Sequence, residues 1–267
     1  MRRVGNLEPR RKIMRKDESL NNGRFAFHTD VGKVRISNED QACALVNAYG
    51  TVLLIVCDGM GGQNKGDYAS ALAVSYIVDE FKKVNRFISS LHVYYWLNQT
   101  CRNANNQIYS ESIRNPTYQG MGTTLSIAIV RKNKLFIAQV GDSRVYTYKD
   151  RKLTQLTEDQ TYVGYLYRTG QISKEEMATH PKRHMLMNAL GVYPTLNIDI
   201  KIRKYENEPL LLCSDGLYNN ASETTIASVL ANKDSPEEKV NELISIANNN
   251  GGSDNIAVVI WESNYAD

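Results

Sequence analysis

Acidic side chains stand beside small residues at the ends of apolar, strand-like runs in several distant parts of the sequence. Five segments do this, RISNEDQ, VCDGMGG, QVGDSR, LLLCSDGL and NNGGSDN, and their acids are Glu39, Asp40, Asp58, Asp142, Asp215 and Asp254. Taken singly, Asp beside Gly is a common turn former. Taken together, strand ends of one sheet system can converge, and converging carboxylates repel one another unless a cation neutralises them.

The residue types favour a hard divalent cation. Ligand sets made only of oxygen, without neighbouring Cys or His, suit ions such as Mg²⁺ or Mn²⁺. Two such ions bridged by one carboxylate can hold a hydroxide for in-line attack on phosphorus. The histidines have no ligand-like spacing, so no metal site is expected on His28, His92, His180 or His184.

Other phosphate chemistries lack their signatures. The sequence has no GxxxxGK[ST] loop, and GMGG does not match a dinucleotide fingerprint. Aspartyl-phosphate hydrolases carry a second Asp two positions after the first, where this chain has Met60. Arg35 lies four residues before Glu39 in the same predicted loop, and its planar fork makes it a candidate ligand for a phosphate.

The acids must be positioned by the elements around them. Runs rich in β-branched and aromatic residues predict strands over 24–30, 51–57, 124–130, 135–140, 144–148, 196–204, 209–213 and 255–261. On this assignment Asp142 lies at the tip of a hairpin. Helical spacing predicts helices over 66–84, 89–112 and 236–249, the last with a capping box from Ser235 to Glu238. The pattern indicates an α+β fold with helices packed outside stacked antiparallel sheets.

Composition predicts one compact domain behind a basic tail. The 267 residues are 42% hydrophobic and 23% charged. Residues 1–24 carry eight basic against three acidic side chains, whereas the rest carries 24 against 26. The tail, residues 1–23, is therefore expected to be flexible. The slightly acidic body argues against a nucleic-acid groove.

No apolar run reaches the roughly 18 residues of a membrane span, so no transmembrane segment is expected. The four cysteines, at 43, 57, 101 and 213, show no CxxC spacing. They are interpreted as free thiols in a reducing compartment, which indicates the cytoplasm.

Six short motifs follow one another along the chain: RxxxED (Arg35, Glu39, Asp40), DGMGG (58–62), MGTT (121–124), GDSR (141–144), SDGL (214–217) and GGSDN (251–255). From about Arg24 to Trp261 the chain resembles the metal-dependent protein phosphatases (PPM, or type 2C), bacterial branch. The resemblance implies a four-layer αββα sandwich, two antiparallel β-sheets flanked by helix pairs, with a flap subdomain. The phosphatase domain would span 24–263, with the flap at about 160–190.

The resemblance also implies a set of metal ligands, namely Glu39, Asp58, Gly59, Asp142, Asp215 and Asp254. Asp58 would bridge two Mn²⁺ or Mg²⁺ ions, one of them also bound by the Gly59 carbonyl. Asp142 would help to hold a weaker third ion. The bridging water would be the nucleophile.

Three further roles follow from the resemblance. Arg35 would bind the phosphate, Asp40 would orient the water or Arg35, and Asn255 would brace the site from behind the ligands. Two positions depart from family patterns. Met60 and Gln160 stand where some members carry histidine, which leaves the general acid unassigned.

The predicted flap is basic and aromatic at Tyr165, Arg168, Lys182 and Arg183, and SKEE predicts a capped short helix. Two interpretations stay open: a plain surface subdomain, or a device that gates the site and selects phosphopeptides.

The resulting hypothesis is a Mn²⁺- or Mg²⁺-dependent protein phosphatase acting on phosphoserine and phosphothreonine. Its partners would be phosphorylated proteins and an opposing Ser/Thr kinase, without nucleic acid, and the chain is expected to be a monomer. One alternative is a catalytically silent regulatory binding module of the same fold. Another is a metal-dependent phosphodiesterase or nuclease with the basic tail as its nucleic-acid arm.

Overall fold

Two antiparallel sheets form the centre of the molecule. The computed structural model describes residues 23–61 and 65–264, so the predicted basic tail lies outside the described residues except for Gly23. Within those ranges the strands are β1 Gly23–Asp30, β2 Asp40–Val46, β3 Val52–Met60, β4 Gly122–Thr123, β5 Leu125–Arg131, β6 Lys134–Val140, β7 Arg144–Lys149, β8 Lys152–Gln155, β9 Asp199–Lys204, β10 Leu210–Cys213 and β11 Ile256–Ser263. Sheet I has the order β1-β11-β10-β7-β8, and sheet II has the order β2-β3-β5-β6-β9, with β4 paired to β3.

Helices cover the outer faces of both sheets. They are α1 Lys65–Lys83, α2 Ser90–Arg114, α3 Tyr162–Arg168, α4 Lys174–Thr179, α5 Asp215–Tyr218, α6 Glu223–Ala231 and α7 Pro236–Asn249, with a 3₁₀ turn at Pro116–Tyr118. The pair α1 and α2 packs on sheet II, and the pair α6 and α7 packs on sheet I. The expected αββα sandwich is therefore confirmed.

Successive residues of the central strand β3 point into different layers. Leu53 belongs to the cluster under α1 and α2, whereas Leu54 belongs to the cluster between the two sheets, and both are fully buried. This follows from the two-residue repeat of a strand. The apolar runs over 51–57 and 209–213 are central strands as predicted, and together these layers hold the strand ends in place.

The predicted hairpin around Asp142 is wrong. β6 belongs to sheet II and β7 to sheet I, so residues 141–143 carry the chain from one sheet to the other. Gly141 makes this turn at a φ of 91°, a left-handed value that favours glycine. Asp142 consequently lies between the two sheets.

Several smaller elements carry too weak a pattern to be predicted. β8, α5 and α6 were not expected, because they are short or mix polar and small residues with apolar ones, whereas the strand expected beside Asp40 is present as β2. The predicted caps are confirmed, since Ser173 and Ser235 both form capping boxes with a glutamate three residues on.

No helix in the described part of the chain is long and apolar enough to cross a bilayer. Cys57, Cys101 and Cys213 are buried free thiols, and Cys43 is partly buried.

Candidate active site

Asp40 and Asp58 form the centre of the carboxylate cluster. β2 and β3 pair so that Asp40 lies directly opposite Asp58, which places both side chains on the same face of sheet II. Asp40 is 1% exposed. Its Oδ2 accepts a hydrogen bond from Ser214 Oγ at 2.6 Å. Its Oδ1 is buried and has no hydrogen-bond partner among the described residues.

The MGTT motif holds the backbone of Asp58. The Asp58 N–H donates to Thr124 Oγ1 at 2.9 Å. Its carbonyl accepts from the Thr124 N–H at 2.8 Å and from Thr123 Oγ1 at 3.0 Å. These bonds leave the carboxylate as the only part of Asp58 that is available to a ligand.

Gly59 is required by close packing against the start of α1. A Cβ added there would lie 2.2 Å from the Gly66 carbonyl oxygen and 2.5 Å from that of Glu39. The Gly59 N–H donates to the same Glu39 carbonyl at 3.1 Å. Glu39 Oε2 would lie 2.5 Å from a Cβ added to Gly66, so the Glu39 carboxylate lies beside the first turn of α1.

Asp215 and Asp254 come from sheet I. Asp215 begins α5 immediately after β10, and Asn219 Nδ2 donates to its Oδ2 at 3.1 Å. Asp254 precedes β11, and its Oδ2 accepts from Arg35 Nη2 at 2.8 Å. Because the Arg35 side chain is 53% exposed, it lies at the mouth of the cluster.

Asn255 ties the Arg35 loop to the strand end that carries Asp254. Its Oδ1 accepts from the Glu39 N–H at 2.9 Å, and its Nδ2 donates to the carbonyls of Val31 and Ser37, each at 2.9 Å. A single buried amide thus holds both ends of the loop.

Asp142 approaches the cluster from the crossover between the sheets. It is 8% exposed, and its carbonyl accepts from the Tyr218 hydroxyl at 3.3 Å. The ring of Tyr218 is stacked on Arg144, whose guanidinium is also paired with Asp159 at 2.6 Å.

The carboxylates share one electrostatic environment. Burial, followed by the charges of Asp40, Asp215, Asp142 and Asp254, raises the pKa of Asp58 well above its ordinary value. Burial first, and then neighbouring carboxylates, raises the pKa of Asp40 to about 8, of Asp142 to about 7 and of Asp215 to about 6. Mutual repulsion of this kind is relieved either by protons or by a bound cation.

The donor set fits a hard divalent cation. The buried, unpartnered Oδ1 of Asp40 and the convergence of carboxylates from both sheets call for positive charge at their centre. Within residues 23–61 and 65–264, no group of three or more His, Cys, Asp or Glu side chains is arranged so that it could hold a metal ion. Carbonyl and water oxygens would have to complete the shell, and Mg²⁺ usually keeps several waters.

The predicted flap residues lie on α3 and on the turn after α4. Tyr165 is 43% exposed, and Arg168 folds back to donate to the Asp159 carbonyl at 3.3 Å. Lys182 lies 5.3 Å from the ring centre of Tyr162, and Arg183 is exposed. These four side chains therefore form part of the outer surface of the flap.

Sequence reasoning assigned a bracing role to Asn255 but none to three hydroxyl residues that also position the acids. Ser214, Thr123 and Thr124 each hydrogen-bond an acidic residue of the cluster. All three lie inside motifs that had been singled out, so the signal was present. Only the tertiary structure shows which acid each hydroxyl contacts. Met60 ends β3 opposite Gly122, and its thioether has no proton to donate.

Comparisons with known proteins agree with this geometry. The pattern of the family described as protein phosphatase 2C matches residues 32–259. The serine/threonine phosphatase stp of Listeria welshimeri is 40% identical over 239 residues, which are 89% of this chain and 95% of that protein.

Solved structures of protein phosphatases have a similar fold. The serine/threonine phosphatase Stp1 from Staphylococcus aureus superimposes with a TM-score of 0.85 at 32% identity, covering 94% of this chain and 99% of that one. The catalytic domain of the phosphatase PstP in complex with 2 manganese ions superimposes with a TM-score of 0.79 at 32% identity, covering 91% and 98%.

Proposed function

This chain belongs to the protein phosphatase 2C family of serine/threonine phosphatases, and we propose that it removes phosphate from phosphoserine and phosphothreonine in proteins. The observation that carries the proposal is the convergence of carboxylates from both sheets around the buried, unpartnered Oδ1 of Asp40. The similarity to phosphatases from several bacteria supports it.

Two cations would be held by Asp58, the Gly59 carbonyl, Glu39, Asp215 and Asp254, and a third by Asp142 with Asp215. When bound, such ions supply a water nucleophile at neutral pH and offset charge on the phosphoryl group. The manganese complex of PstP supports Mn²⁺, and Mg²⁺ suits the same oxygen donors.

Arg35 would bind and orient the phosphate. It now donates to the Asp254 carboxylate, and a phosphate offers similarly paired oxygens to the same guanidinium fork. Its exposure at the mouth of the cluster leaves it accessible to a protein substrate. As charge develops on the phosphoryl oxygens, this fixed cation would stabilise the transition state.

Asp40 would orient the attacking water. Ser214 holds one of its oxygens, so the other, Oδ1, is the oxygen that can accept a hydrogen bond from water. Because Met60 carries no ionisable proton, it is not the general acid. Asn255 would keep the Arg35 loop and Asp254 in fixed register.

The wider setting is also a proposal. A Ser/Thr kinase would oppose the enzyme, which would act as a monomer in the cytoplasm. The buried free thiols of Cys57, Cys101 and Cys213 support a reducing compartment.

Chelation tests the metal dependence. Hydrolysis of p-nitrophenyl phosphate and of a phosphothreonine peptide is expected to stop in EDTA and to return with Mn²⁺. Full activity in a chelated, metal-free sample would contradict the mechanism.

The two alternatives have separate tests. A silent binding module would show no Mn²⁺-dependent turnover while remaining folded by circular dichroism. A nuclease would cleave single-stranded DNA or RNA with Mn²⁺ faster than it hydrolyses the phosphopeptide.

A further inference from the structure

Gln160, at the start of the flap, is hydrogen-bonded to the turn that carries Asp142. The Gln160 N–H donates to the Gly141 carbonyl at 3.0 Å, and the Gly141 N–H donates back to Gln160 Oε1 at 2.9 Å. Gln160 thus satisfies both backbone groups of the residue immediately before Asp142.

The same residue holds the far end of the flap. The Gln160 carbonyl accepts from the Met187 N–H at 2.9 Å, and its Oε1 accepts from Asn188 Nδ2 at 2.6 Å. Next to it, Thr161 and Leu186 form an isolated β-bridge. The start and the end of the flap therefore meet at Gln160.

One side-chain oxygen accepts both the hydrogen bond from the Asp142 turn and the hydrogen bond from the end of the flap. Gln160 Oε1 accepts one hydrogen bond from the Asp142 turn and one from Asn188, which uses both of its lone pairs. The amide nitrogen makes only a long contact to the Gln139 carbonyl, at 3.4 Å. The acceptor oxygen is consequently the functional part of the side chain.

We propose that Gln160 is a positioning residue that couples the flap to the Asp142 turn, so that movement of the flap changes the position of the Asp142 carboxylate. A substrate protein that displaces the flap would in this way affect one of the acids of the site. The consequence for catalysis rests on the proposed function, whereas the mechanical link does not.

Hydrogen–deuterium exchange of the metal-free protein tests the link directly. Gln160→Met keeps the chain length but removes the acceptor. We expect exchange at the Gly141 amide to become about three- to tenfold faster, because that amide loses its acceptor. Exchange at the Met187 amide should also become faster, because Asn188 beside it is released, although the Met187 bond to the Gln160 backbone carbonyl remains. Unchanged exchange, or faster exchange on one side only, would overturn the coupling.

Two further variants test whether the loss of the Gln160 side-chain oxygen causes the faster exchange. Gln160→Glu keeps an oxygen in place and is expected to exchange like the wild type at Gly141. Gln171→Ala removes a flap glutamine whose side chain donates to Thr169 Oγ1, and it should leave both amides unchanged. Equal loosening in the Met and Glu variants would show that packing, rather than the oxygen, makes the link.

Kinetics separate this inference from the proposed function. With p-nitrophenyl phosphate, which is too small to span the flap, Gln160→Met is expected to need about three- to tenfold more Mn²⁺ for half-maximal activity, with a smaller change in KM. An unaltered Mn²⁺ requirement in an active enzyme would refute the catalytic consequence. An inactive wild type would instead refute the proposed function, and the exchange data would still decide the link.

Discussion

Individual acids of the carboxylate cluster destabilise the metal-free protein, although the proposed catalysis requires them. Asp58 is surrounded by other acids and its pKa is raised by burial and by their charges, so its ionised form is unfavourable in the metal-free protein. A bound cation would reverse that balance, because it favours the ionised form. The residues that are best suited to hold a metal ion are therefore those that lower the stability of the metal-free protein.

The variant Asp58→Asn tests this opposition. We expect hydrolysis to fall by about 10³-fold or more, because the proposed bridging carboxylate is lost. The free energy of unfolding of the metal-free protein should rise by about 1–2 kcal/mol, because the neutral Asn amide avoids the cost of holding a carboxyl protonated or ionised among buried acids. Urea denaturation in EDTA measures the second effect. Asp79→Asn, on the exposed side of α1, is the control. A metal-free variant less stable than the wild type would contradict the argument.

The pH dependence of stability has a defined sign. The folded-state pKa is raised to about 8 for Asp40, about 7 for Asp142 and about 6 for Asp215, in each case chiefly by burial. The pKa of an Asp in the unfolded chain is about 4, so between pH 4 and 8 the folded protein binds more protons than the unfolded chain.

The metal-free protein should therefore lose stability as pH rises from about 5 to 8. Its Tm in EDTA, measured by circular dichroism across that range, is expected to fall. Saturating Mn²⁺ should diminish or reverse the decline. A Tm in EDTA that rises over the same range would refute the assigned direction of these pKa values.

At the scale of elements, we propose that the flap contacts the protein substrate. Its helices α3 and α4 are short, and Tyr165, Tyr167, Met185 and Met187 are all exposed by 43–50%. Lys182 and Arg183 add positive charge to the turn that follows α4. Such a surface suits an acidic phosphopeptide better than a small ester.

The double variant Lys182→Glu/Arg183→Glu tests that role. KM for a phosphothreonine peptide with flanking acidic residues should rise about three- to tenfold at low salt, because the attraction becomes repulsion. KM for p-nitrophenyl phosphate should not change. Lys82→Glu/Lys83→Glu makes the same charge change at the end of α1 and should affect neither substrate. Equal effects on both substrates would contradict selection by the flap.

For the whole molecule, the apolar layer between the two sheets sets the distance between the two groups of acids. Asp40 and Asp58 belong to sheet II, whereas Asp215 and Asp254 follow or precede strands of sheet I. Leu54 lies in the layer between them, and Leu53 lies in the layer under α1 and α2. Loss of packing in these two layers should affect the site differently.

Leu54→Ala and Leu53→Ala form a matched pair, since both leucines are fully buried neighbours on β3. Each should lower the free energy of unfolding by about 2–5 kcal/mol, as measured by urea denaturation. Only Leu54→Ala is expected to weaken Mn²⁺ binding in isothermal titration calorimetry, because it loosens the contact between the sheets. Equal weakening by both would show that general destabilisation, rather than sheet spacing, controls the site.

The sequence alone was sufficient to predict many elements of the fold and the acids of the site. The acids, their small neighbours and the apolar runs beside them follow from local residue order, and they predicted the central strands, the long helices and the sandwich. They also singled out the five acidic segments that meet at the cluster. Local preferences are sufficient for these features because a strand or a capped helix depends mainly on residues a few positions apart.

Only the tertiary structure decided how those segments meet. Pairing of β2 with β3 sets Asp40 opposite Asp58, and the passage of residues 141–143 from one sheet to the other, instead of a hairpin, places Asp142 between the sheets. The same holds for the bond from Ser214 to Asp40, which joins residues 174 positions apart. Contacts at such separations depend on strand order and on which face each side chain takes, and no local pattern records either.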